Sequence, residues 1–402
     1  MALPPSSSPD SPQPIRNLRI TFWGVQGSCT AAPTRADVDE YARRIATATL
    51  DRALNDIAAR VERGEGTPAA LRELASPAAL ESYQRQLGMP QLPTFGGDTT
   101  CIEVETSAGD TLLFDMGSGM RAFSRNAVAN WGGHRPRTLH AFLTHEHLDH
   151  RHGLPFASVC FERANPFTIH MYGTHRALAA FDDRYGIFSK TLGSTVHYDD
   201  PLDYRSMSAA FTGTEIRGSD DASTRPAAAP PWQIRAMNEP IHVGPTTVTP
   251  FEVYHAATRC LAYHVRHGDA TFVFCTDHEL RHGEDPADPR QLRSHQAEDR
   301  LIAHCRNADV GYFDGQYMLA EYLGQQGIGG GAPRRRVDWG HGCIEDVIER
   351  ARACQVRRAY IGHHEPERPW AERFKIDSDL RALSHGKPFH IELAKAGAVI
   401  DV

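Results

Sequence analysis

Residues 144–150 read Thr-His-Glu-His-Leu-Asp-His, which places the imidazoles of His145, His147 and His150 and the carboxylate of Asp149 on one short stretch. Nitrogen and oxygen donors at this density suit zinc, or iron and manganese less selectively. The apolar residues before them, Leu139, Ala141, Phe142 and Leu143, read as a buried strand. Side chains two apart on an extended chain point to one side, so His145 and His147 can reach a single ion. A turn must follow before Asp149 and His150 face a second ion beside the first.

Further donors stand at the ends of predicted strands downstream. His255 closes the run 247–254, Asp277 follows 271–276, and His363 follows 359–362. Together with the His-x-His-x-Asp-His run, this order resembles the metallo-β-lactamase fold. The resemblance implies an α/β protein, a four-layer αβ/βα sandwich with a dinuclear metal site at one edge of two packed sheets. It assigns His145, His147 and His255 to one ion and Asp149, His150 and His363 to the other, with Asp277 bridging. His363 is preferred to its neighbour His364 because it lines up with the strand end in relatives. Two divalent ions are implied, zinc first, with manganese or iron as alternatives.

The donor identities narrow the class. Zinc β-lactamases more often carry Cys where Asp277 stands, and flavodiiron oxidoreductases carry Glu where His147 stands. An all-His/Asp set fits the hydrolytic branches: ribonuclease Z with its small-molecule phosphodiesterase relatives, glyoxalase II, and lactonases. Trp339-Gly340-His341-Gly342-Cys343 precedes a helical pattern, and Asp309-Val310-Gly311-Tyr312-Phe313-Asp314 reads as a strand ending in a carboxylate. In ribonuclease Z and related phosphodiesterases, a His starting such a helix and an acid ending such a strand pair beside the metals. The resemblance therefore gives His341 the role of general acid, held by Asp314, and Asp149 that of orienting or deprotonating the attacking water. The segments 18–28, 94–101 and 112–119 are similar to strand motifs of the same branch. Asp115 among them is expected to accept hydrogen bonds from the metal-binding loop.

The reaction these features imply is hydrolysis of a small phosphodiester, cyclic forms included, by a metal-activated hydroxide. A carboxylic ester, thioester or lactone hydrolase on the same scaffold is the rival reading, and a non-catalytic ligand-sensing protein is a second. Ribonuclease Z proper carries a tRNA-gripping arm between the third His and the bridging Asp. Here residues 262–270 read as a plain hairpin turning at Gly268-Asp269. The formal net charge of −7 supplies no general attraction to a polyanion. A small-molecule partner is expected rather than nucleic acid.

The donors span most of the 402 residues, so 17–402 reads as one domain behind a Pro/Ser-rich tail, 1–16, expected to be disordered. No apolar run is long enough to span a membrane. The 8 cysteines are scattered without a Cys-x-x-Cys pair and read as reduced thiols of a cytoplasmic protein. Two insertions are expected. The first, about 31–93, is helical, with an apolar stripe that packs on its own sandwich, forms a homo-oligomer interface, or acts as a lid. The second, about 204–232, has loop composition, and Phe181, Tyr185, Phe188 and Tyr198 are candidates either for core packing or for a substrate pocket. Arg334, Arg335 and Arg336 follow a glycine-rich stretch near His341. They read either as a solvated loop or as a clamp on substrate phosphate.

Overall fold

The computed structural model describes residues 17–73, 76–88, 94–131, 137–191, 202–218 and 229–402. The expected tail, Tyr198 and residues 219–228 of the second expected insertion lie outside these. The first half forms β1 (Leu18–Gly24), α1 (Arg35–Glu62), α2 (Pro68–Glu73), α3 (Pro77–Leu87), β2 (Cys101–Thr106) and β3 (Thr111–Phe114). It continues through α4 (Met120–Asn130), β4 (Thr138–Phe142), β5 (Thr168–Gly173), α5 (His175–Tyr185), β6 (Ala210–Arg217) and β7 (Gln233–Ala236). The second half opens with β8 (Ile241–Val243), β9 (Thr246–His255), β10 (Thr258–His267), β11 (Ala270–Cys275), α6 (Pro289–Cys305) and β12 (Val310–Asp314). It ends with α7 (Leu319–Tyr322), α8 (Ile344–Cys354), β13 (Arg358–Gly362), α9 (Trp370–Ser384), β14 (His390–Leu393) and β15 (Val399–Asp401).

Among the described residues the strands make two sheets, ordered β15-β1-β2-β3-β4-β5-β6-β7 and β14-β13-β12-β11-β10-β9-β8. In each, antiparallel pairing gives way to parallel pairing, from β3 onward in the first and from β11 onward in the second. Parallel strands are covered on both faces, which is why β12 is buried along its whole length. Between the sheets the core mixes aliphatic residues with Phe22, Phe114, Phe142, Tyr263, Phe274 and Tyr312, all fully buried. Behind the first sheet, α4 and α5 bury their own Phe123, Leu178 and Phe181; behind the second, α6, α8 and α9 bury their own Leu301, Val347 and Leu380. The result is the four-layer αβ/βα sandwich that the resemblance implied.

The second expected insertion needs correction. Within 204–232, residues 210–217 are not loop but β6, pairing parallel to β5 and extending the first sheet, and β7 adds to it. Thr212, Thr214 and Ile216 favour a pleated strand, but Gly213 interrupts the pattern. That glycine is required by packing, since a Cβ there would stand 2.8 Å from the Trp232 Cβ. Phe181 and Tyr185 are core residues behind this sheet, and Phe188 packs against Trp232.

The first insertion is helical. Thr34 and Asp37 form a reciprocal cap at the start of α1. Its first turns dock on α9: Asp37 Oδ1 accepts from Trp370 N (2.7 Å), Tyr41 meets the Trp370 ring edge-on, and the Arg44 guanidinium lies 4.0 Å from the centre of Phe374. Farther along, Tyr83 of α3 donates to Asp56 of α1 (2.7 Å), yet Leu50, Leu54 and Val61 remain more than half exposed.

Candidate metal centre

Past β4 the chain runs through His145 and, after a bend at Glu146, His147, and one tight turn over Leu148–His150 then carries Asp149 and His150. The remaining donors follow β9, β11 and β13. One donor atom from each of His145, His147, His255 and Asp277 lies within 4.8 Å of the others, and the same holds for Asp149, His150 and His363. Asp277 stands between the two groups. Its Oδ2 is 3.6 Å from Nε2 of both His145 and His255, and its Oδ1 is 3.2 Å from Nε2 of both His150 and His363. One carboxylate oxygen thus faces each triad. His364 turns away and donates from Nε2 to Ala394 O (2.7 Å), while its ring packs against Phe95.

The ring nitrogens directed away from the cluster are held. His150 Nδ1 donates to Asp115 (2.7 Å), His145 Nδ1 to Thr144 Oγ1 (3.0 Å), His255 Nδ1 to Gly340 O (2.7 Å) and His363 Nδ1 to Gln316 Oε1 (3.0 Å). Such partners fix the tautomer and the ring plane of a metal ligand. Asp115 also accepts from Thr144 N (2.8 Å), tying the donor loop to the end of β3. By contrast, Nε2 of His145, His150 and His363 is buried and lacks a hydrogen bond of acceptable geometry. Buried polar atoms are rarely left so. Converging imidazole nitrogens and carboxylate oxygens form the donor set that two divalent cations take, and the residues fit them.

The electrostatics of the cluster point the same way. Burial pulls the His145 imidazole well below its ordinary range, and burial likewise takes His255 down to about 4. Burial also opposes charge on His150 and His363, but the Asp277 and Asp149 carboxylates overcome it, holding His150 well above the ordinary range and His363 up to about 9. Burial disfavours the ionised Asp149 and Asp277 too, yet the neighbouring His150 and His363 keep both well below the usual carboxylate range. The pocket is thus built to keep its carboxylates ionised and ready for positive charge.

Asp115, Asp277 and His363 all adopt left-handed backbone, with φ of 58°, 52° and 55°. Asp and His tolerate this region better than most residues, and its occurrence at three strand ends around one cluster is the strain expected of a functional site. Two glycines are set by histidines of the cluster. A Cβ on Gly340, whose φ is +89°, would stand 2.1 Å from His255 Nδ1, and one on Gly27 would stand 2.4 Å from His363 Nδ1.

Beside the cluster, His341 Nδ1 lies 3.1 Å from Asp314 Oδ2. An ionised carboxylate only accepts, so Nδ1 carries the proton and Nε2 is left for other chemistry. The His341 ring stacks on His363 at 4.7 Å and is 3.8 Å from Asp277 Oδ2.

Glu279 and Gln316 escape sequence reasoning. Glu279 is fully buried and accepts from Tyr322 Oη, Asp338 N and Gly340 N, the last two at 2.8 Å. Gln316 holds His363 and donates to Glu365 (2.6 Å). The available signal was position, since each stands two residues past a site aspartate. Of the arginine triplet, Arg336 is buried, donates to Glu321 O and Arg334 O, and lies against the rings of Tyr317 and Trp339. Arg335 pairs with Glu284 at the surface and Arg334 is exposed. Arg336 therefore braces the loop that carries His341.

No protein-family model and no curated protein sequence matches the chain. Solved structures do match. Zn2+-bound PqqB from Methylobacterium extorquens superposes with a TM-score of 0.50 at 16% identity, covering 96% of this chain and 100% of that one. YhfI from Bacillus subtilis, a metallo-β-lactamase fold protein, gives 0.48 at 14% over 96% and 99%. The short form of human tRNase Z gives 0.49 at 14% over 95% and 98%. Two α/β layers packed face to face, with a His/Asp cluster along the strand ends of one edge, are the metallo-β-lactamase fold, and this chain adopts it.

Proposed function

We propose that the protein is a metal-dependent hydrolase of a small phosphodiester. The observation that carries the reading is the Asp277 carboxylate, one oxygen toward each histidine triad, with the His341–Asp314 pair standing against it. When bound there, two divalent cations supply Lewis acidity and lower the pKa of a water.

The chain's own residues do the rest. Asp149, at the rim of the second triad, accepts a hydrogen bond from the attacking water and aims it at phosphorus. As the phosphorus–oxygen bond to the leaving alcohol breaks, His341 gives its Nε2 proton to the departing oxygen. Asp314, accepting from Nδ1–H, stabilises the imidazolium that precedes this transfer. Phosphodiesters gain most from such an acid, because their leaving alkoxides are strong bases. The His341–Asp314 pair therefore favours them over thioesters, whose thiolates leave without a proton.

The deciding experiment is metal analysis of the purified protein, with turnover of bis(p-nitrophenyl) phosphate compared with a thioester and a lactone. Two ions per chain and diester turnover are expected. Asp277→Ala should lose both metal and activity. Full turnover by chelated protein, or preference for the thioester, would end the proposal.

A further inference from the structure

Next to the cluster lies a groove of about 990 Å³, within the range that takes a nucleotide-sized ligand. It is bounded by the ends of β6 and β7, the β9–β10 turn and one face of α6. Five guanidinium groups line it, those of Arg217, Arg235, Arg259, Arg293 and Arg300, against the single lining carboxylate of Glu252. Ion pairs take up part of this charge: Arg217 with Glu215 (2.7 Å), Arg259 with Glu252 (3.0 Å) and Arg235 with Glu239 (3.8 Å). Arg293 and Arg300 form no ion pair among the described residues, so positive charge remains in surplus. That surplus sits on a chain whose net charge is −7, so it is a local concentration rather than a reflection of composition. Gly218 makes room for it, since a Cβ there would fall 2.2 Å from Arg259 Nη2.

The groove meets the metal centre. His255 and Thr258 belong to its wall, and Thr258 Oγ1 lies 3.3 Å from His147 Nε2.

We infer that this groove binds a second phosphate-type anion of the substrate, one that is not cleaved. The inference rests on the phosphodiesterase reading and narrows it to small diesters bearing an additional phosphate. Planar guanidinium forks from separate elements suit phosphate oxygens, which accept several donors at once.

Inorganic phosphate, titrated calorimetrically into the full-length protein, is the probe. Saturable binding is expected. Arg293→Gln and Arg300→Gln, both on the exposed face of α6, should each weaken it about tenfold, the effect of one charge-assisted hydrogen bond. Arg217→Gln, on a different element, should do the same. The metal-site variant Asp277→Ala, which loses any binding at the metal centre, should keep the arginine-dependent phosphate binding. Absence of phosphate binding, or binding lost in Asp277→Ala and kept in the arginine variants, overturns the inference by placing the anion elsewhere. Turnover of bis(p-nitrophenyl) phosphate separates the two readings. Turnover without arginine-dependent phosphate binding sinks the groove alone, and arginine-dependent binding without turnover sinks the phosphodiesterase reading while the anion site stands.

Discussion

Glu279 Oε2 accepts a hydrogen bond from Gly340 N at 2.8 Å, and the carbonyl of that same glycine accepts from His255 Nδ1 at 2.7 Å. A carboxylate two residues past Asp277 thus fixes the plane of an imidazole from another strand, through the N–H and C=O of one glycine. Burial raises the Glu279 carboxyl above its usual range, countered by hydrogen bonds from Tyr322, Asp338 and Gly340. Glu279→Gln places an amide donor against these donors. It should lower metal affinity by about 10–100-fold, the usual effect of losing such an outer partner. Chelator competition measures this, and an unchanged affinity would show that His255 is held without it.

His341→Ala should retain both metal ions. It should slow hydrolysis of alkyl phosphodiesters by about 10²–10⁴-fold, the range for one acid–base group. Nitrophenyl diesters, whose leaving phenolate needs no proton, should lose far less. Asp314→Asn should give a weaker version of the same pattern. Equal losses on both leaving groups would recast His341 as a binding residue.

The ion pair of Glu298 and Arg350 (2.6 and 2.7 Å) staples α6 to α8 behind the second sheet, with His278 donating to the same carboxylate (2.9 Å). Burial disfavours the ionised Glu298, but Arg350 and then His278 hold its pKa well below the usual range. Removing one partner of such a buried pair costs about 3–5 kcal/mol, so Glu298→Gln should be destabilising by that order near neutrality. A carboxylate depressed in the folded state stabilises only above its unfolded pKa of about 4.3, and loses that contribution as pH falls toward the folded value. The gap between parent and variant, read from urea midpoints, should narrow on acidification from about pH 5 to about pH 3. Both proteins share the titration of the His/Asp cluster, which cancels in the difference. A gap that widens with acid would contradict the assignment.

Replacing α1–α3 by a short loop should leave the two metal ions in place, because the insertion supplies no donor to the cluster. It should lower solubility or change assembly mass, since it uncovers Trp370 and Phe374 on α9. Leu50→Glu together with Leu54→Glu tests the exposed part separately. A drop in mass by light scattering marks a subunit contact. A deletion variant of unchanged mass and solubility that loses only turnover would make the insertion a lid.

The cluster was legible because its donors fall, at spacings that resemble a known fold, at the ends of strongly apolar runs. The apolar runs that precede these donors mark β4, β9, β11, β12 and β13. What stayed hidden depends on tertiary structure. Strand β6 was masked by Gly213, which is there for Trp232. Glu279 looks like any polar residue after a strand until Gly340 folds over it. The groove arginines are separated by up to 83 positions, between Arg217 and Arg300, and each reads singly as a solvated charge. The Arg334–Arg336 run stands out in the sequence as a contiguous triplet near His341 behind a glycine-rich stretch, yet its buried member packs against Tyr317 and Trp339. Contiguity is visible in a sequence, whereas convergence is not.

The parallel register across β11, β12 and β13 pairs Cys275 with Phe313 and Phe313 with Ile361. Asp277, Asp314 and His363 leave these three strands within two residues of that common line. The sheet is therefore a ruler for the backbone: the strand ends are spaced by the interstrand distance of about 4.8 Å, marked off by backbone hydrogen bonds rather than by loops, and the side chains then converge, Asp277 Oδ1 coming within 3.2 Å of His363 Nε2 across β12. Lengthening the connections between these strands leaves the graduations untouched. Deleting one residue inside β12 turns its terminal carboxylate to the opposite face. A different reactive group can be set on any one mark without respacing its neighbours, so the chemistry of this edge can be exchanged one strand end at a time.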